Sequence, residues 1–228
     1  MTYLQEELKK LRLSLLEMAG VVAGQLRKSI AALLNNDADM ANEVIYNEDR
    51  VNAYELKIDS DCEYIFALHT PVANDMRFVF STLKINADLE RIGDYAEGIA
   101  KLVLLSIDKY DPQLIKDLRV EEMYGISCTM MEDITTAYNY DDSRLARSVY
   151  TMDVQLNEIN HLASETVVKY CEGNPGRILQ AMHLLSMVRK LERVGDHITN
   201  IAEDIIFHKE AVVLKHSKIQ PENDNGAT

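Results

Sequence analysis

The sequence has little of the residues that interrupt helices. Its 228 residues include only four prolines and nine glycines, and they include no tryptophan. Because proline and glycine punctuate β-rich folds, their scarcity favours long helices. With only four phenylalanines, the core must be filled mainly by Leu, Ile, Val, Ala and Met. An apolar content of 47% excludes a disordered chain and predicts a globular protein.

Cationic side chains are in the minority. Asp and Glu outnumber Lys and Arg by 37 to 24, which gives a formal net charge of -13. This balance argues against nonspecific nucleic-acid binding, because that binding needs a basic surface to neutralise phosphates. It suits a protein that binds cations or docks on basic surfaces of partner proteins.

Cysteine and targeting segments are also scarce. Cys62, Cys128 and Cys171 are far apart and form no CxxC or zinc-binding pattern, so we expect three reduced thiols in a cytosolic protein. The N-terminal stretch MTYLQEELKKLR is charged and shows no secretory signal. No uncharged apolar run approaches the roughly 18 residues of a membrane span. We therefore expect a cytoplasmic protein without membrane insertion.

What the sequence does contain is helical periodicity between short breaks. The predicted helices cover residues 2–34, 38–69, 71–109, 114–139, 142–172 and 176–213. Thr70 and Pro71 are the expected N-cap and first-turn residues of the third helix. In the third and sixth predicted helices, apolar residues recur in alternating steps of four and three, which is typical of antiparallel bundle helices.

The second half of the sequence repeats the first. Leu89–Asp94, LERIGD, matches Leu191–Asp196, LERVGD, at an offset of 102 residues. Upstream, Glu48-x-x-Val51-Asn52 matches Asp153-x-x-Leu156-Asn157 at an offset of 105. Two matches on corresponding helices indicate an internal duplication.

The duplication defines the predicted architecture. We expect an all-α fold, a tandem repeat of two antiparallel three-helix bundles with six long helices. The first repeat is predicted at residues 1–110 and the second at 111–215, followed by a disordered tail at 216–228.

Each signature places two carboxylates one helical turn apart. Glu90 and Asp94 are i and i+4 residues, as are Glu192 and Asp196, so each pair is adjacent and mutually repelling. At about 100° per residue, both pairs lie on the far side of their helices from the apolar stripe. We therefore expect these carboxylates to be accessible and not buried in the bundle.

The second and fifth predicted helices add rows of oxygen-bearing side chains. These are Glu48, Asn52, Glu55 and Asp59 in the first repeat and Asp153, Asn157 and Asn160 in the second. If the second and third helices are neighbours, their rows converge on a cation, and such hard oxygen ligands suit Mg²⁺, Ca²⁺, Mn²⁺ or iron better than structural zinc. The alternative is that these are solvated charged faces, neutralised locally by Arg91 and Arg193.

Catalytic patterns are missing. The sequence has no inward-facing Glu-x-x-His pairs of a di-iron bundle, no activated nucleophile and no phosphate-binding glycine loop. A metal-dependent bundle enzyme and a metal-storage or structural protein remain as alternative functions. Gly93 and Gly195 lie near the core side of their helices, where glycine costs about 1 kcal/mol, so we interpret them as sites of close helix approach.

The doubled signature and the segment Pro71-x-x-x-Asp75-Met76-Arg77 resemble the PhoU family over residues 5 to 213. The resemblance implies a cytoplasmic, non-enzymatic negative regulator of the bacterial phosphate response and of phosphate uptake. Its implied partners are the ATPase of the phosphate ABC transporter (PstB-like) and a sensor histidine kinase (PhoR-like). Members of the family often form homodimers.

The resemblance also implies metal sites at E/D-x-x-x-D motifs, in some members as multinuclear iron or zinc clusters. Mg, Mn, Fe and Zn are therefore the candidate ions. Asn52 and Asn157 stand where the family has a second acid, which weakens each site by one charge. Gly98 replaces a frequent asparagine that Asn200 retains, which favours the second repeat, and Glu97 is a substitute ligand in the first. The implied ligands in this sequence are Glu48, Asn52, Glu90, Asp94, Asp153, Asn157, Glu192 and Asp196.

Overall fold

The structure, a computed structural model, describes residues 2–106 and 108–214. These residues form helices and no strands: α1 (Tyr3–Asn35), α2 (Ala38–Leu68), α3 (Ala73–Leu105), α4 (Pro112–Asp117), α5 (Val120–Tyr140), α6 (Ser143–Gly173), a 3₁₀ turn (Pro175–Arg177) and α7 (Ile178–Glu210). The all-α fold and the number of six long helices are confirmed, and α4 is an additional short helix. The predicted tail lies outside the described residues, and the predicted repeat boundary stays a prediction.

Several helices begin at side-chain caps that the sequence provides. Thr2 forms a capping box with Gln5 at the start of α1. The Asp37 and Asp142 carboxylates accept backbone N–H groups of the first turns of α2 and α6. The expected cap at Thr70 is wrong, because α3 begins after Val72 without a side-chain cap.

The predicted helix over 114–139 is two helices. The short α4 ends at Asp117, and Arg119 adopts a left-handed conformation with φ of 52° before α5 begins. No proline or glycine marks this break. Leu114 and Leu118 are both buried, so packing of the short helix against the rest of the protein explains a break that local propensity does not predict.

The helices form two layers around a core shared by both repeats. In the first layer α2 packs on α3, α3 on α7 and α7 on α6, while α1 and α5 pack together across this layer. The central helices α3 and α7 are antiparallel, since Lys84 contacts Asp204 near one end of the pair and Gly98 lies beside Lys190 near the other. Corresponding residues of the two repeats are thus related by an approximate two-fold axis near Ile92 and Val194.

Arg12 of α1 ties the two repeats together. Its guanidinium donates to Asp141 Oδ1 at 2.9 Å and to the carbonyl oxygens of Tyr138 and Asn139 in the second repeat. It also lies 4.9 Å from the ring centroid of Phe78 in the first repeat, a cation–π distance. The repeats therefore pack as one body.

No helix within residues 2–106 and 108–214 combines the length and the apolar character needed to cross a membrane. All three cysteines are free thiols, as expected. Cys62 is buried, and burial raises the pKa of its thiol to about 12, whereas Cys128 and Cys171 are partly buried.

Candidate functional site: two acidic grooves

We use the name first acidic groove for the place between α2 and α3 where Glu48 lies near Glu90 and Asp94, and it contains a buried glutamate. Glu48 is 6% exposed, and its Oε2 accepts a hydrogen bond of 3.0 Å from Gln25 Nε2 of α1. Glu48 Oε1 is buried and has no hydrogen-bond partner. A Cβ atom on Gly93 would lie 3.2 Å from this oxygen, so the glycine of the signature leaves room for the carboxylate against α3.

The paired acids of α3 flank this carboxylate. The Glu90 side chain is 17% exposed and the Asp94 side chain 40%. Arg91 Nη1 donates to Asp94 Oδ2 at 3.0 Å, while Arg91 Nε is 3.6 Å from Glu90 Oε2. Part of the negative charge is thus neutralised locally, as the alternative interpretation proposes, but Arg91 is itself largely exposed.

The second groove, between α6 and α7, repeats this arrangement. Asp153 Oδ1 is buried without a partner, while Oδ2 accepts a 2.9 Å hydrogen bond from Asn157 Nδ2. A Cβ on Gly195 would lie only 2.8 Å from Asp153 Oδ1. The Glu192 and Asp196 side chains are 15% and 38% exposed, close to the values of their counterparts. Both glycines are therefore close-approach sites, as predicted, and each admits a carboxylate together with an apolar side chain, Val51 beside Gly93 and Leu156 beside Gly195.

Burial makes both grooves unfavourable places for negative charge. Burial raises the pKa of Glu48 to about 7 against the lowering effect of Gln25, and the carboxylates of Asp94, Glu97 and Glu90 raise it further. Burial likewise raises the pKa of Asp153 to about 6, with added repulsion from the α7 acids. A bound cation or proton would relieve this repulsion.

We expected the acid pairs to be accessible and not buried in the bundle, and all four side chains are half-buried. Within each pair the aspartate is less covered than the glutamate, since the side chains of Asp94 and Asp196 are 40% and 38% exposed and those of Glu90 and Glu192 are 17% and 15% exposed. The reason is that α3 packs against α1, α2 and α7, so the side of α3 opposite its apolar stripe is partly covered by a neighbouring helix. Burial raises the pKa of the Glu90 carboxyl, and the neighbouring Asp94 adds to this rise.

The other predicted ligands differ in their contacts with the two buried carboxylates. Asn52 is exposed and forms no hydrogen bond with Glu48, while Asn157 donates a hydrogen bond to Asp153. Farther along the first groove, Asn86 Nδ2 donates to Asp59 Oδ1 at 2.9 Å and to the Glu55 carbonyl oxygen. Across residues 2–106 and 108–214, no three His, Cys, Asp or Glu side chains stand close enough to hold a metal ion.

These observations decide which chemistry the grooves suit. Each groove offers one buried carboxylate oxygen without a donor, and the surrounding ligands are oxygens alone, which suits a hard cation. Asp94 and Asp196 are half-buried, and each accepts a hydrogen bond of 3.0 Å from the arginine three residues before it.

Position 98 is a glycine, whereas the corresponding position 200 in the second repeat is an asparagine. A contact between the central helices explains this difference. Lys190 Nζ would lie 2.8 Å from a Cβ on Gly98, and it also lies 5.7 Å from the ring centroid of Tyr95. At the corresponding place in the other half, Asn200 Nδ2 is 3.3 Å from Asp88. The glycine therefore makes room for a lysine, and its effect is on packing between the repeats.

Sequence reasoning missed Gln25, the only α1 side chain that forms a hydrogen bond with a candidate ligand among the described residues. Gln25 is 2% exposed and lies in the buried stripe of α1 with Val22 and Ser29. A glutamine at an apolar-stripe position is the signal that was available, because a buried amide needs hydrogen-bond partners.

The structure is a duplicated bundle of six long helices with one acidic groove in each repeat. Comparison with known protein families identifies the family that has this architecture. A family model described as the PhoU domain matches residues 15–103 and 120–205. The chain belongs to the PhoU family.

Relatives and solved structures agree with this assignment. The "phosphate-specific transport system accessory protein PhoU homolog" of Caulobacter vibrioides is 32% identical over 202 residues, 89% of this chain and 87% of the relative. The homolog of Aquifex aeolicus is 31% identical, covering 96% and 98%. The crystal structure of PhoU from Pseudomonas aeruginosa superposes with a TM-score of 0.83 at 30% identity, covering 91% of this chain and 99% of that one.

Proposed function

We propose that this protein is a cytoplasmic, non-enzymatic negative regulator of the phosphate-starvation response and of phosphate uptake. The observation that carries the proposal is the match of both repeats to the PhoU domain, together with relatives named as phosphate transport accessory proteins over nearly their whole length. The proposed partners are the ATPase of a phosphate ABC transporter and a sensor histidine kinase. The excess of acids on the chain suits docking on basic surfaces of such partners.

Deletion of the gene tests the regulatory role. In a strain grown with abundant phosphate, we expect loss of the protein to derepress a reporter gene that phosphate normally represses, because the proposed regulator restrains signalling. Reporter activity and phosphate uptake are measured with and without a plasmid copy of the gene. Repression that is unchanged in the deletion strain contradicts the proposal.

We further propose that each acidic groove binds a metal ion, with Mg, Mn, Fe and Zn as candidates. Glu48, Glu90 and Asp94 would hold the ion in the first repeat, and Asp153, Glu192 and Asp196 in the second. Their side chains would have to move closer together on binding, because in the described conformation no three of them stand close enough to hold an ion. Support comes from the unpartnered buried oxygens of Glu48 and Asp153. A bound cation would neutralise the repelling carboxylates and change the charge that this face presents to a partner. A homodimer is the proposed assembly.

Metal content tests the second groove directly. Replacing Glu192 and Asp196 together by alanine is expected to remove the metal of the second repeat, because two of its three carboxylates are lost. Elemental analysis of purified protein measures metal per chain, and the exposed α6 residue Glu158 supplies a control, Glu158→Ala, that should retain all metal. Equal metal content in the double variant and the wild type removes these residues from the site.

A further inference from the structure

The central helices α3 and α7 have an outer side that no other described helix covers. α1 and α5 pack on the inner side of these two helices, while α2 and α6 flank them. Residues 84–102 of α3 and 186–204 of α7 correspond to each other at the offset of 102 that relates the two signatures. An exact duplication would therefore give the two halves of this outer face the same charge. The exposed residues of the outer face include Ala87, Arg91, Lys101, Arg189, Arg193 and Asn200.

The two halves of the outer face carry opposite charge. The acidic half combines residues 84–92 of α3 with residues 195–204 of α7, and the basic half combines residues 93–102 with residues 186–194. Outside the shared signatures, the acidic half contains one cation and three acids, whereas the basic half contains three cations and one acid. The corresponding residues that differ in charge are Asp88 and Lys190, Glu203 and Lys101, and Ala87 and Arg189.

The acidic half forms a concave surface. A cavity of about 480 Å³ lies there between α2, α3 and α7, and its lining includes Asp88, Glu203 and Asp204. Lys84 Nζ lies 2.7 Å from Asp204 Oδ1 and neutralises that acid. Asp88 Oδ1 lies 2.7 Å from His197 Nδ1, and Glu203 forms no ion pair with another described residue. The concave surface therefore retains negative charge.

The basic half is occupied by its own cationic side chains at the corresponding place. The ammonium group of Lys190 lies beside Gly98, where the glycine leaves room for it. Lys101 Nζ is paired with Glu97 at 2.6 Å. Arg189 is exposed, and neither Arg189 nor Lys190 forms an ion pair with another described residue. The basic half therefore retains positive charge.

These charges favour one arrangement of two copies. The chain has a formal net charge of -13, so two copies repel each other unless local charges oppose that repulsion. If a second copy is turned end for end, about a two-fold axis that crosses α3 and α7 in the plane of the outer face, each acidic half meets the basic half of the other copy. A two-fold axis along the helices instead brings like halves together. Because a two-fold interface is self-complementary, the first arrangement makes the favourable contact twice.

We propose that a second copy of this chain docks on the outer face of α3 and α7, turned end for end so that each acidic half lies on the basic half of the other copy. The inference rests on the homodimer proposed above and specifies its interface. Opposite charges across an interface steer association and disfavour the wrong orientation, because placing like charges together is costly. Exposed charges are screened by salt, so self-association should weaken as the ionic strength rises.

Two variants that make the halves of the outer face alike test the interface. Ala87→Arg/Glu203→Lys gives the acidic half the residues that stand at the corresponding positions of the basic half, so both halves become basic. Lys101→Glu/Arg189→Ala makes the reverse change, so both halves become acidic. All four positions are exposed or half-buried, and none belongs to the acidic grooves. Sedimentation equilibrium in the presence of a chelator, at low and at high salt, measures the mass of the wild type, of each variant and of an equimolar mixture of the two variants.

We expect each variant alone to self-associate at least about tenfold more weakly than the wild type at low salt, because like halves then meet in the end-for-end dimer. The equimolar mixture should form dimers, because a basic face then meets an acidic one. The dissociation constant of the wild-type dimer should rise with salt concentration. Glu121→Lys/Thr129→Lys is the matched control, since it raises the net charge as much as the first variant does at exposed positions of α5. It should dimerise like the wild type.

The outcomes that overturn this interface differ from the one that overturns the homodimer. Variants that dimerise as tightly as the wild type show that the copies meet elsewhere, which leaves the proposed homodimer standing. The same holds for a mixture that stays monomeric although circular dichroism shows both variants to be folded. Wild-type association that does not change with salt excludes the charge pairing without the use of any variant. A wild type that is monomeric at every concentration measured contradicts the proposed homodimer, and the inference with it.

Discussion

Replacing Glu48 by glutamine is expected to stabilise the metal-free protein at pH 8 by about 3 kcal/mol. The pKa of this carboxyl rises from 4.5 to about 7 in the folded protein, and each unit corresponds to about 1.4 kcal/mol. A carboxyl with a raised pKa favours folding in its neutral form, so its penalty is absent below about pH 4.5, grows up to about pH 7 and is complete above it. Glutamine is neutral throughout and can still accept the hydrogen bond from Gln25.

The measurement is chemical unfolding in the presence of a chelator at pH 4.5 and pH 8. The stabilisation by Glu48→Gln should be present at pH 8 and small at pH 4.5. Glu63, exposed on the same helix, supplies the control Glu63→Gln, expected to change stability by less than about 0.5 kcal/mol at either pH. A gain that is equal at both pH values would show a packing effect and not relief of a buried charge.

Replacing Gly195 by alanine is expected to destabilise the protein by about 1–2 kcal/mol, although alanine is the better helix former. A Cβ there would stand 2.6 Å from Leu156 Cδ1 and 2.8 Å from Asp153 Oδ1. Leu156 is fully buried, so a shift of its side chain must displace the core side chains packed around it. The cost of overpacking therefore exceeds the gain in helix propensity.

Gly125 of α5 provides a matched control, because its replacement by alanine is expected to change the stability in the opposite direction. A Cβ at this exposed helical position meets nothing within 4 Å, so Gly125→Ala should stabilise the protein by about 0.5–1 kcal/mol. Both variants are compared with wild type by thermal and chemical unfolding. Stabilisation by Gly195→Ala of the same size as at Gly125 would show that the second groove readily yields around the added methyl group.

Much of the candidate site was predictable because it depends on spacing within single helices. The i and i+4 positions of Glu90 and Asp94 follow from the sequence alone, as does the close approach at Gly93. The sequence predicted a helix cap at Thr70, but it did not reveal that α3 begins only after Val72. The break before α5 was not predictable either, since buried contacts of Leu118 and its neighbours decide it.

The sequence by itself determined the helical class, the duplication and the four paired acids, because periodicity and repeated motifs are properties of the chain read in order. Only the tertiary structure decided which acid of each pair is covered, since that depends on which helix packs beside it. It also decided that Gln25 contacts Glu48 from 23 residues away, a contact that no spacing within one helix encodes. The two repeats share a signature, and the contacts of neighbouring helices make their grooves different.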